Sequence, residues 1–577
     1  MLLLPLLTAM TLTAGSGATA HAPQAERQNP EASLSSKAAS LAGEWVGVIR
    51  SPSQIRYARI RFETANGHTR LAVLSMQPGS PVEPMIVQSD ASRVQFTLRT
   101  NADELHFSGE LRDGRISGLI RSAQGPGRFE FVRHHQIAPQ KYDEYAGAYE
   151  LEPGRLLVVR RGDDHSWDKS CSLRRSWLHF VDSSGKARLL FPAARDQFFA
   201  GPGFLLPLPK ELAVTFVRGE SGAVTGVRWR EHGQLERYAR RTKRYMEESV
   251  RFQSGGKSLG ARLLTPSGKG PHPAIVAIQG GPGPANRNSQ YLAVIDVLVA
   301  NGIAALIYDK PGCGESGGDW HSQSYDDMAE DALAAVRFLQ TRKRIDPRKV
   351  GLWGISEGGW IAPLAAMRSP DVAFLVLVSA GGLSHAALDH ALLEPTLREA
   401  GTGEPEIQEA IRFEKLTMDF VRTGEDWPKL RLALEEAKKR PWLPYTTVFT
   451  HTGGNLPSTA DHWFWRLYRL SAHHDPVATI SKVEVPVLAI WGGSDRAAPP
   501  DLNLPELARG LRQGKNPDYT LLVFGSGEHV LWQLDKPSWV QVERYVPAYF
   551  QTTTDWILDR TRRRPTAAAP IQPAQPR

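Results

Sequence analysis

The segment that most constrains the fold is residues 349–366, where an apolar run leads into a glycine-rich turn and then a helical stretch. The turn reads Gly354-Ile355-Ser356-Glu357-Gly358, which fits the pattern G-x-S-x-G. A strand that turns this sharply into a helix exposes a serine hydroxyl and leaves no room for neighbouring β-carbons, so glycines flank the serine. The alternative is an accidental Gly/Ser turn. The strand-like and helical flanks favour Ser356 as a nucleophile.

A serine hydroxyl is a poor nucleophile at neutral pH and needs a base, which in turn needs an orienting acid. Around such a turn the acid and the base follow later strands, in the order serine, acid, histidine. The apolar run 487–491 is followed by Asp495, and the run 519–524 is followed by His529. This order predicts a triad in which Asp495 orients His529 and His529 activates Ser356. The competing candidates are Glu528 as the acid and His451, His462, His473 or His474 as the base.

A second turn is predicted to stabilise negative charge on the substrate. The apolar run 274–279 leads into Gln279-Gly280-Gly281-Pro282-Gly283-Pro284. A glycine-rich turn after an early strand can aim backbone N–H groups at a carbonyl oxygen. We expect the amides of Gly281 and Glu357 to form an oxyanion hole, with Gly280 as the fallback donor and a plain turn as the alternative.

The chain of 577 residues is too long for one hydrophobic core, and its pattern of apolar and polar residues divides it into distinct segments. Evenly spaced alternating runs predict an antiparallel barrel or sandwich over residues 41–135 and a second β-rich module over 140–243. Apolar runs alternating with helices then predict a mostly parallel sheet covered on both faces, over 244–383 and 483–558. The tryptophan-rich helical stretch 384–482 interrupts this sheet and is predicted to be a cap over the site.

The motifs QGGPG, YDKPGCGES, GISEGG, GGSD and GEH together resemble the α/β-hydrolase superfamily, over residues 245–555. Within it they are similar to the serine aminopeptidase and proline iminopeptidase branch and to related bacterial esterases. The resemblance implies an eight-stranded sheet with one antiparallel strand and a cap. It gives Ser356, Asp495, His529, Gly281 and Glu357 the roles stated above, and makes Asp309 a structural brace. Two departures weigh against proline-specific cleavage: Gln279 stands where the iminopeptidase turn opens with histidine, and the residues around Ser356 differ.

The predicted activity is that of a serine hydrolase, acting on a small-molecule ester through an acyl-enzyme on Ser356. The alternatives are an aminopeptidase acting on short peptides or aminoacyl amides, a binding protein with a vestigial hydrolase domain, and a transacylase. Glu357 bears on the choice, because its carboxylate could meet a substrate amine, although a solvated or ion-paired side chain is the commoner outcome. The reaction requires no cofactor. No Cys/His cluster has zinc spacing, so no metal is predicted.

The N-terminal segment indicates export. Residues 2–12 are apolar but too short to span a bilayer, and small residues ending Ala18-Thr19-Ala20 follow. This pattern, although it lacks an early Lys or Arg, predicts a signal peptide over 1–20, a linker over 21–40, and a periplasmic or secreted protein. No later stretch of the sequence reaches the roughly 18 consecutive apolar residues of a membrane-spanning helix, so membrane insertion is not predicted.

The net charge limits the possible binding partners, and the cysteine content bears on disulfide formation. The net charge of +8 comes from basic residues spread along the chain, which disfavours nucleic acid binding. Cys171 and Cys313 fall in different predicted domains, so the sequence favours two unpaired cysteines without settling the point. The tail 559–577 is predicted to be disordered. The oligomeric state stays open.

Overall fold

The computed structural model describes residues 41–562, apart from short gaps at 52–54, 66–67, 78–81, 90–91, 101–103, 124, 153–154, 164–175, 183, 244, 282, 288–291, 472–473 and 535–541. The predicted signal peptide and linker, Cys171 and His473 therefore lie outside the described residues. No helix in the described part of the chain is both long and apolar enough to cross a membrane.

The first β domain is an eight-stranded antiparallel sheet in the spatial order β3-β2-β1-β8-β7-β6-β5-β4. Alternation of apolar and polar residues places one face of these strands inward, around Trp45, Phe62 and Phe131. The edge strands β3 and β4 are in contact, which gives the sheet a barrel-like curl. Its strands are β1 (Gly43–Arg50), β2 (Ile55–Ala65), β3 (His68–Gln77), β4 (Val82–Ser89), β5 (Arg93–Thr100), β6 (Glu104–Arg112), β7 (Arg115–Arg121) and β8 (Gly127–His134).

The second β domain is a closed antiparallel barrel in which the first strand pairs with the last. Tyr149, Phe180 and Trp229 are buried in its core. Two β-rich modules in tandem agree with the sequence prediction. The strands of the barrel are β9 (Gly147–Glu152), β10 (Arg155–Asp163), β11 (Ser176–Asp182), β12 (Ala187–Ala194), β13 (Gln197–Ala200), β14 (Leu212–Arg218), β15 (Val224–Glu231) and β16 (Arg237–Thr242).

The third domain is built on an eight-stranded sheet whose strand β18 runs antiparallel to both neighbours, while the remaining pairs are parallel. The spatial order is β17-β18-β20-β19-β21-β22-β23-β24, which agrees with the α/β architecture implied by the motifs. Its strands are β17 (Tyr245–Ser254), β18 (Lys257–Pro266), β19 (His272–Ile278), β20 (Ala304–Tyr308), β21 (Ile345–Ile355), β22 (Leu375–Val378), β23 (Val487–Gly492) and β24 (Tyr519–Phe524), followed by a small hairpin of β25 (Trp532–Leu534) and β26 (Val542–Tyr545).

Helices cover this sheet. Of the six helices described between β22 and β23, the first five belong to the inserted cap, whereas the sixth packs on helices that flank the sheet. The helices are α1 (Leu292–Ala300), α2 (Tyr325–Gln340), α3 (Gly358–Ala366), α4 (His385–Glu399), α5 (Glu404–Thr423), α6 (Trp427–Ala437), α7 (Thr447–Thr452), α8 (Trp463–Ser471), α9 (Pro476–Ile480), α10 (Pro500–Gln513) and α11 (Tyr549–Arg562), with 3-10 turns at Pro139–Glu144, Trp320–Ser322 and Leu443–Tyr445. Helix α11 continues to Arg562, so the prediction of a disordered tail beginning at residue 559 is wrong for its first four positions.

The cap tryptophans serve mainly the core of the cap. Trp442 and Trp465 are fully buried there, and Trp427 packs against the same cluster. Trp463 contacts the sheet domain as well, because its ring lies 5.8 Å from that of Trp320. The cap therefore carries its own core and is anchored to the rim of the sheet by aromatic contacts.

The second β domain is joined to the sheet domain by a buried ion pair. Arg160 on β10 donates to both carboxylate oxygens of Asp296 on α1, at 2.7 and 2.5 Å, and to the hydroxyl of Tyr245 at 2.7 Å. Its guanidinium also contacts Glu247. One apolar cluster contains residues of both β domains and of the sheet domain, so the three units pack on each other.

Cys313 corrects one sequence expectation. It is fully buried and disulfide-bonded, so the preference for two unpaired cysteines is wrong for this residue. The domains that appear separate along the chain pack together in space, which removes the reason for expecting its thiol to be isolated.

Candidate active site

Ser356 stands at the sharp turn between β21 and α3, with a positive φ of 53° that non-glycine residues rarely adopt. A β-carbon at Gly354 would lie 2.2 Å from the carbonyl oxygen of Gly358, and one at Gly358 would lie 2.3 Å from that of Ile278. Both glycines are therefore required by close backbone contacts, as the G-x-S-x-G spacing predicts. Ser356 is partly exposed at this turn.

Asp495 and His529 form a hydrogen-bonded pair at the same edge of the sheet. The Nδ1–H of His529 donates to both carboxylate oxygens of Asp495, each at 3.0 Å. The Asp495 side chain is fully buried and its Oδ1 accepts the amides of Ala497 at 2.9 Å and Ala498 at 2.8 Å. A fixed Nδ1–H leaves Nε2 as the basic nitrogen of the ring.

The end of β22 links this pair to the serine turn. The amide of Ser356 donates to the carbonyl of Val378 at 2.9 Å, and the next residue, Ser379, donates its hydroxyl to the carbonyl of His529. Ser379 is fully buried and has a φ of 49°, so its backbone is held in an uncommon conformation at the centre of the site. The Ser356 hydroxyl itself makes no hydrogen bond to His529 or to any other described residue. Catalytic hydrogen bonds are often long in the absence of substrate.

The other candidate histidines and the other candidate acid, Glu528, make different contacts. His451 bonds to its own helix, and His462 accepts the amide of Phe464 at 3.3 Å. His474 packs against the ring of Tyr325, and His473 is not among the described residues. Glu528 makes no hydrogen bond to His529, and burial together with the charge of Asp495 raises its pKa. Of the two candidate acids, Asp495 is the one hydrogen-bonded to the His529 imidazole, whereas Glu528 acts on it through its charge alone.

The charges of the pair are coupled. Burial lowers the pKa of His529, but the charge and hydrogen bond of Asp495 outweigh it, so the pKa lies above its usual value of 6.5. Burial raises the pKa of Asp495, and the charge and hydrogen bond of His529 reverse that effect and hold the pKa below 3.8. The aspartate therefore stays ionised while the imidazole is well placed to accept a proton.

The two predicted oxyanion donors lie on segments that touch at Ser356. A β-carbon at Gly280 would lie 2.9 Å from that of Ser356, so the loop after β19 presses against the serine turn. Gly281 has a φ of 85°, which suits glycine. Within the described residues, no backbone hydrogen bond uses the amide of Gly281 or of Glu357, so both donors are available.

Lys310 fastens the two segments together. Its ammonium donates to the carbonyl of Gly281 at 2.5 Å and to Oε2 of Glu357 at 2.8 Å. Both side chains are buried, and burial raises the pKa of Glu357 although the charge of Lys310 opposes that rise. The Glu357 carboxylate is thus ion-paired, which was the commoner of the two outcomes expected for it.

Asp309 agrees with its predicted role as a brace. It is almost fully buried, and its carboxylate accepts the amides of Arg287 at 2.6 Å and Glu315 at 2.9 Å. A β-carbon at Gly314 would lie 2.4 Å from the same carboxylate. These contacts fix the loop that carries Lys310.

Sequence reasoning missed Lys310 and Ser379 as positioning residues. Lys310 follows the carboxyl end of β20, and Ser379 follows that of β22. This position after a strand is the one sequence signal that could have identified them. It also missed a histidine–aspartate group in the cap, formed by His385, Asp389 and His451. That group is the one set of side chains in the described part of the chain whose spacing suits a metal ion.

Comparison with known proteins points to a family for the central part of the chain. Residues 271–409 match the family described as serine aminopeptidase, S33. A thiohydrolase of Aspergillus aculeatus is 31% identical over 136 residues, which is 23% of this chain and 39% of that protein. A dual function macrocyclase-peptidase of Amanita bisporigera is 35% identical over 146 residues, or 25% of this chain and 18% of that protein. The chain therefore spans less than half the length of these relatives.

Among solved structures, Est1E from Butyrivibrio proteoclasticus with bound ferulic acid aligns with a TM-score of 0.35 and 17% identity, over 55% of this chain and 100% of that one. A TM-score of this size carries no conclusion. The sheet topology, the serine turn and the family match over residues 271–409 instead support the α/β-hydrolase superfamily for the sheet domain. The matched residues include Ser356, whereas Asp495 and His529 lie beyond them.

Replacing Lys310 by methionine tests whether it positions the oxyanion donors. We expect the rate at which a fluorophosphonate labels Ser356 to fall about 10²-fold, the effect of losing one oxyanion donor. The unpaired Glu357 should lower the free energy of unfolding by about 3–5 kcal/mol. The double variant Lys310→Met/Glu357→Leu removes both charges and should regain stability without regaining reactivity. Wild-type labelling in that double variant would show that Lys310 has only a structural role.

The pH dependence of labelling tests the Asp495–His529 pair. His529 acts as a base when neutral, so the rate should fall as the pH drops through its raised pKa, with a midpoint above 6.5. Asp495→Asn removes the charge that raises this pKa, so the midpoint should move to lower pH and the rate should fall by roughly 10³–10⁴. Glu528→Gln is the matched control and should shift the midpoint only slightly. If Glu528→Gln abolished labelling and Asp495→Asn did not, Glu528 would be the acid.

Proposed function

We propose that this protein is a serine hydrolase that cleaves carboxylic esters through an acyl-enzyme on Ser356. The observation that carries the proposal is the strained, glycine-flanked Ser356 at the sheet edge where Asp495 holds His529 by two 3.0 Å contacts. A serine in such a turn beside an oriented imidazole is the arrangement that nucleophilic acyl transfer requires.

The reaction proceeds in two steps. Nε2 of His529 takes the proton of the Ser356 hydroxyl as its oxygen attacks the ester carbonyl, and the amides of Gly281 and Glu357 stabilise the resulting oxyanion. The imidazolium then gives its proton to the leaving alkoxide and the acyl-enzyme forms. Water attacks the acyl-enzyme with His529 again as base, which releases the carboxylic acid and restores the serine.

The state of Glu357 supports an ester over an aminoacyl substrate. An aminopeptidase needs a carboxylate that meets the substrate's free amine, and Glu357 is already committed to Lys310 at 2.8 Å. The matched family is described as a serine aminopeptidase, which favours peptidase activity as the second candidate. The relatives include proteins named as a thiohydrolase and as a dual function macrocyclase-peptidase, which supports hydrolytic chemistry. The hydrogen-bonded Asp495–His529 pair and the strained backbone of Ser356 weigh against a vestigial domain.

Substrate profiling beside a nucleophile variant tests the proposal. The wild-type protein should react with a fluorophosphonate and hydrolyse short p-nitrophenyl esters faster than aminoacyl p-nitroanilides. Ser356→Ala should lose at least about 10⁴-fold in ester turnover while keeping its melting temperature, because it removes the nucleophile alone. The matched control is Ser526→Ala, an exposed serine near His529, which should keep its activity. Dominant turnover of amides that requires a free amine would favour the aminopeptidase, and folded protein that resists labelling would reject both.

Export to a periplasm or the medium is part of the proposal. The buried disulfide at Cys313 supports it, since disulfides persist mainly in oxidising compartments. In a bacterial host with a secretory pathway, the mature protein should be recovered outside the cytoplasm with His21 as its first residue. N-terminal sequencing of the fractionated protein measures this. An uncleaved chain confined to the cytoplasm would contradict export.

A further inference from the structure

A group of polar side chains lies inside the cap, apart from the triad residues. His385 and Asp389 are one helical turn apart on α4, and His451 reaches them from α7. One possible ligand atom from each residue lies within 4.8 Å of the other two. Residues four apart on a helix share a face, so α4 presents an imidazole and a carboxylate side by side.

Two hydrogen bonds fix the orientation of this group from outside. Nδ1 of His451 lies 2.9 Å from the carbonyl of Thr447, so it carries the proton and leaves Nε2 with a lone pair. The hydroxyl of Tyr468 donates to Oδ2 of Asp389. Histidines that bind metals usually donate their other N–H to a carbonyl, and their carboxylate partners are themselves hydrogen-bonded. The supports of this group therefore match those of a metal site.

His385 lacks the partners that its burial calls for. Only 8% of the residue is exposed, and Nδ1 has no hydrogen-bond partner. Nε2 lies 3.7 Å from Oδ2 of Asp389, which is too far for a hydrogen bond. The ring packs against those of Trp360, His451 and Tyr468, with centroids 5.0–5.4 Å apart. A buried imidazole nitrogen with no hydrogen-bond partner is costly unless something else binds it, and Nδ1 of His385 is such a nitrogen.

We propose that His385, Asp389 and His451 bind a divalent transition-metal ion, of which Zn²⁺ is the best fit. Two imidazoles and a carboxylate suit zinc, whereas Mg²⁺ and Ca²⁺ prefer ligand sets made of oxygen. Ligands of a tetrahedral zinc ion stand roughly 3–3.5 Å apart, so small side-chain rotations close the group around the ion. Three protein ligands leave one coordination position open.

The site would tie α4 to α7 on the side of the cap that faces the serine turn. The ring of His385 lies 5.4 Å from that of Trp360, which belongs to α3, the helix that begins after Ser356. The proposed hydrolysis takes no step through the ion. Metal binding and ester hydrolysis can therefore fail independently, and each has its own measurement.

Binding is tested on the full-length protein without a histidine tag, stripped of metal with a chelator. Titration with Zn²⁺ alone in a calorimeter should show one ion per chain, and the melting temperature should rise with Zn²⁺. Co²⁺ should give the visible absorption of a tetrahedral site, which Zn²⁺ displaces. His385→Ala, Asp389→Asn and His451→Ala should each weaken binding by at least about 10²-fold, and Tyr468→Phe by about tenfold.

The matched control is His390→Ala, an exposed histidine on the same helix, which should bind Zn²⁺ as the wild type does. Circular dichroism verifies that each variant is folded, and Asp389→Asn preserves the shape of the side chain if an alanine variant unfolds. The proposal is overturned if the wild type shows no stoichiometric Zn²⁺ binding, or if Asp389→Asn binds Zn²⁺ with wild-type affinity. Loss of binding in His390→Ala would place the ion elsewhere and overturn it as well.

Discussion

The contact on which the active site depends is between bare backbone segments at the turn from β21 to α3. A β-carbon at Gly354 or Gly358 would lie only 2.2–2.3 Å from a neighbouring carbonyl oxygen, and one at Gly280, in the loop after β19, would lie 2.8 Å from the carbonyl oxygen of Ile355. This packing forces Ser356 into a left-handed conformation and exposes its hydroxyl. Strain of this kind persists only where the surroundings over-determine it, and here strands on both sides of β21 supply that constraint.

Charged and polar side chains fix the parts of the active site that backbone packing alone does not position. Lys310 joins Gly281 to Glu357, and Ser379 joins the end of β22 to the loop that carries His529. Both supports come from residues that follow strands, so the sheet itself aligns them. A buried ion pair contributes little net stability because its desolvation is costly, but losing one partner is severely destabilising. The Lys310–Glu357 pair therefore acts chiefly as a constraint on geometry.

Much of the fold and the pairing of Asp495 with His529 could be predicted from the sequence, since both are encoded in short patterns and their order. The apolar runs gave the strands of the sheet, and the positions of Asp495 and His529 after two of them gave a pair that is hydrogen-bonded in the structure. The links made by Lys310, and the group of His385 with His451, depend on side chains brought together by tertiary packing. No local pattern contains them. The disulfide at Cys313 escaped prediction for the same reason.

Arg160 shows how the β domains take part in this architecture. Its guanidinium is buried, binds Asp296 through two donors and also reaches Tyr245 and the side chain of Glu247. Asp296 lies on α1, which packs against β18 and β20 of the sheet. A planar fork that needs three partners at fixed angles admits one relative orientation of barrel and sheet, whereas apolar contact alone would admit several. The barrel is therefore held in a defined position beside the sheet, and the shared apolar cluster supplies the favourable free energy that the buried charges do not.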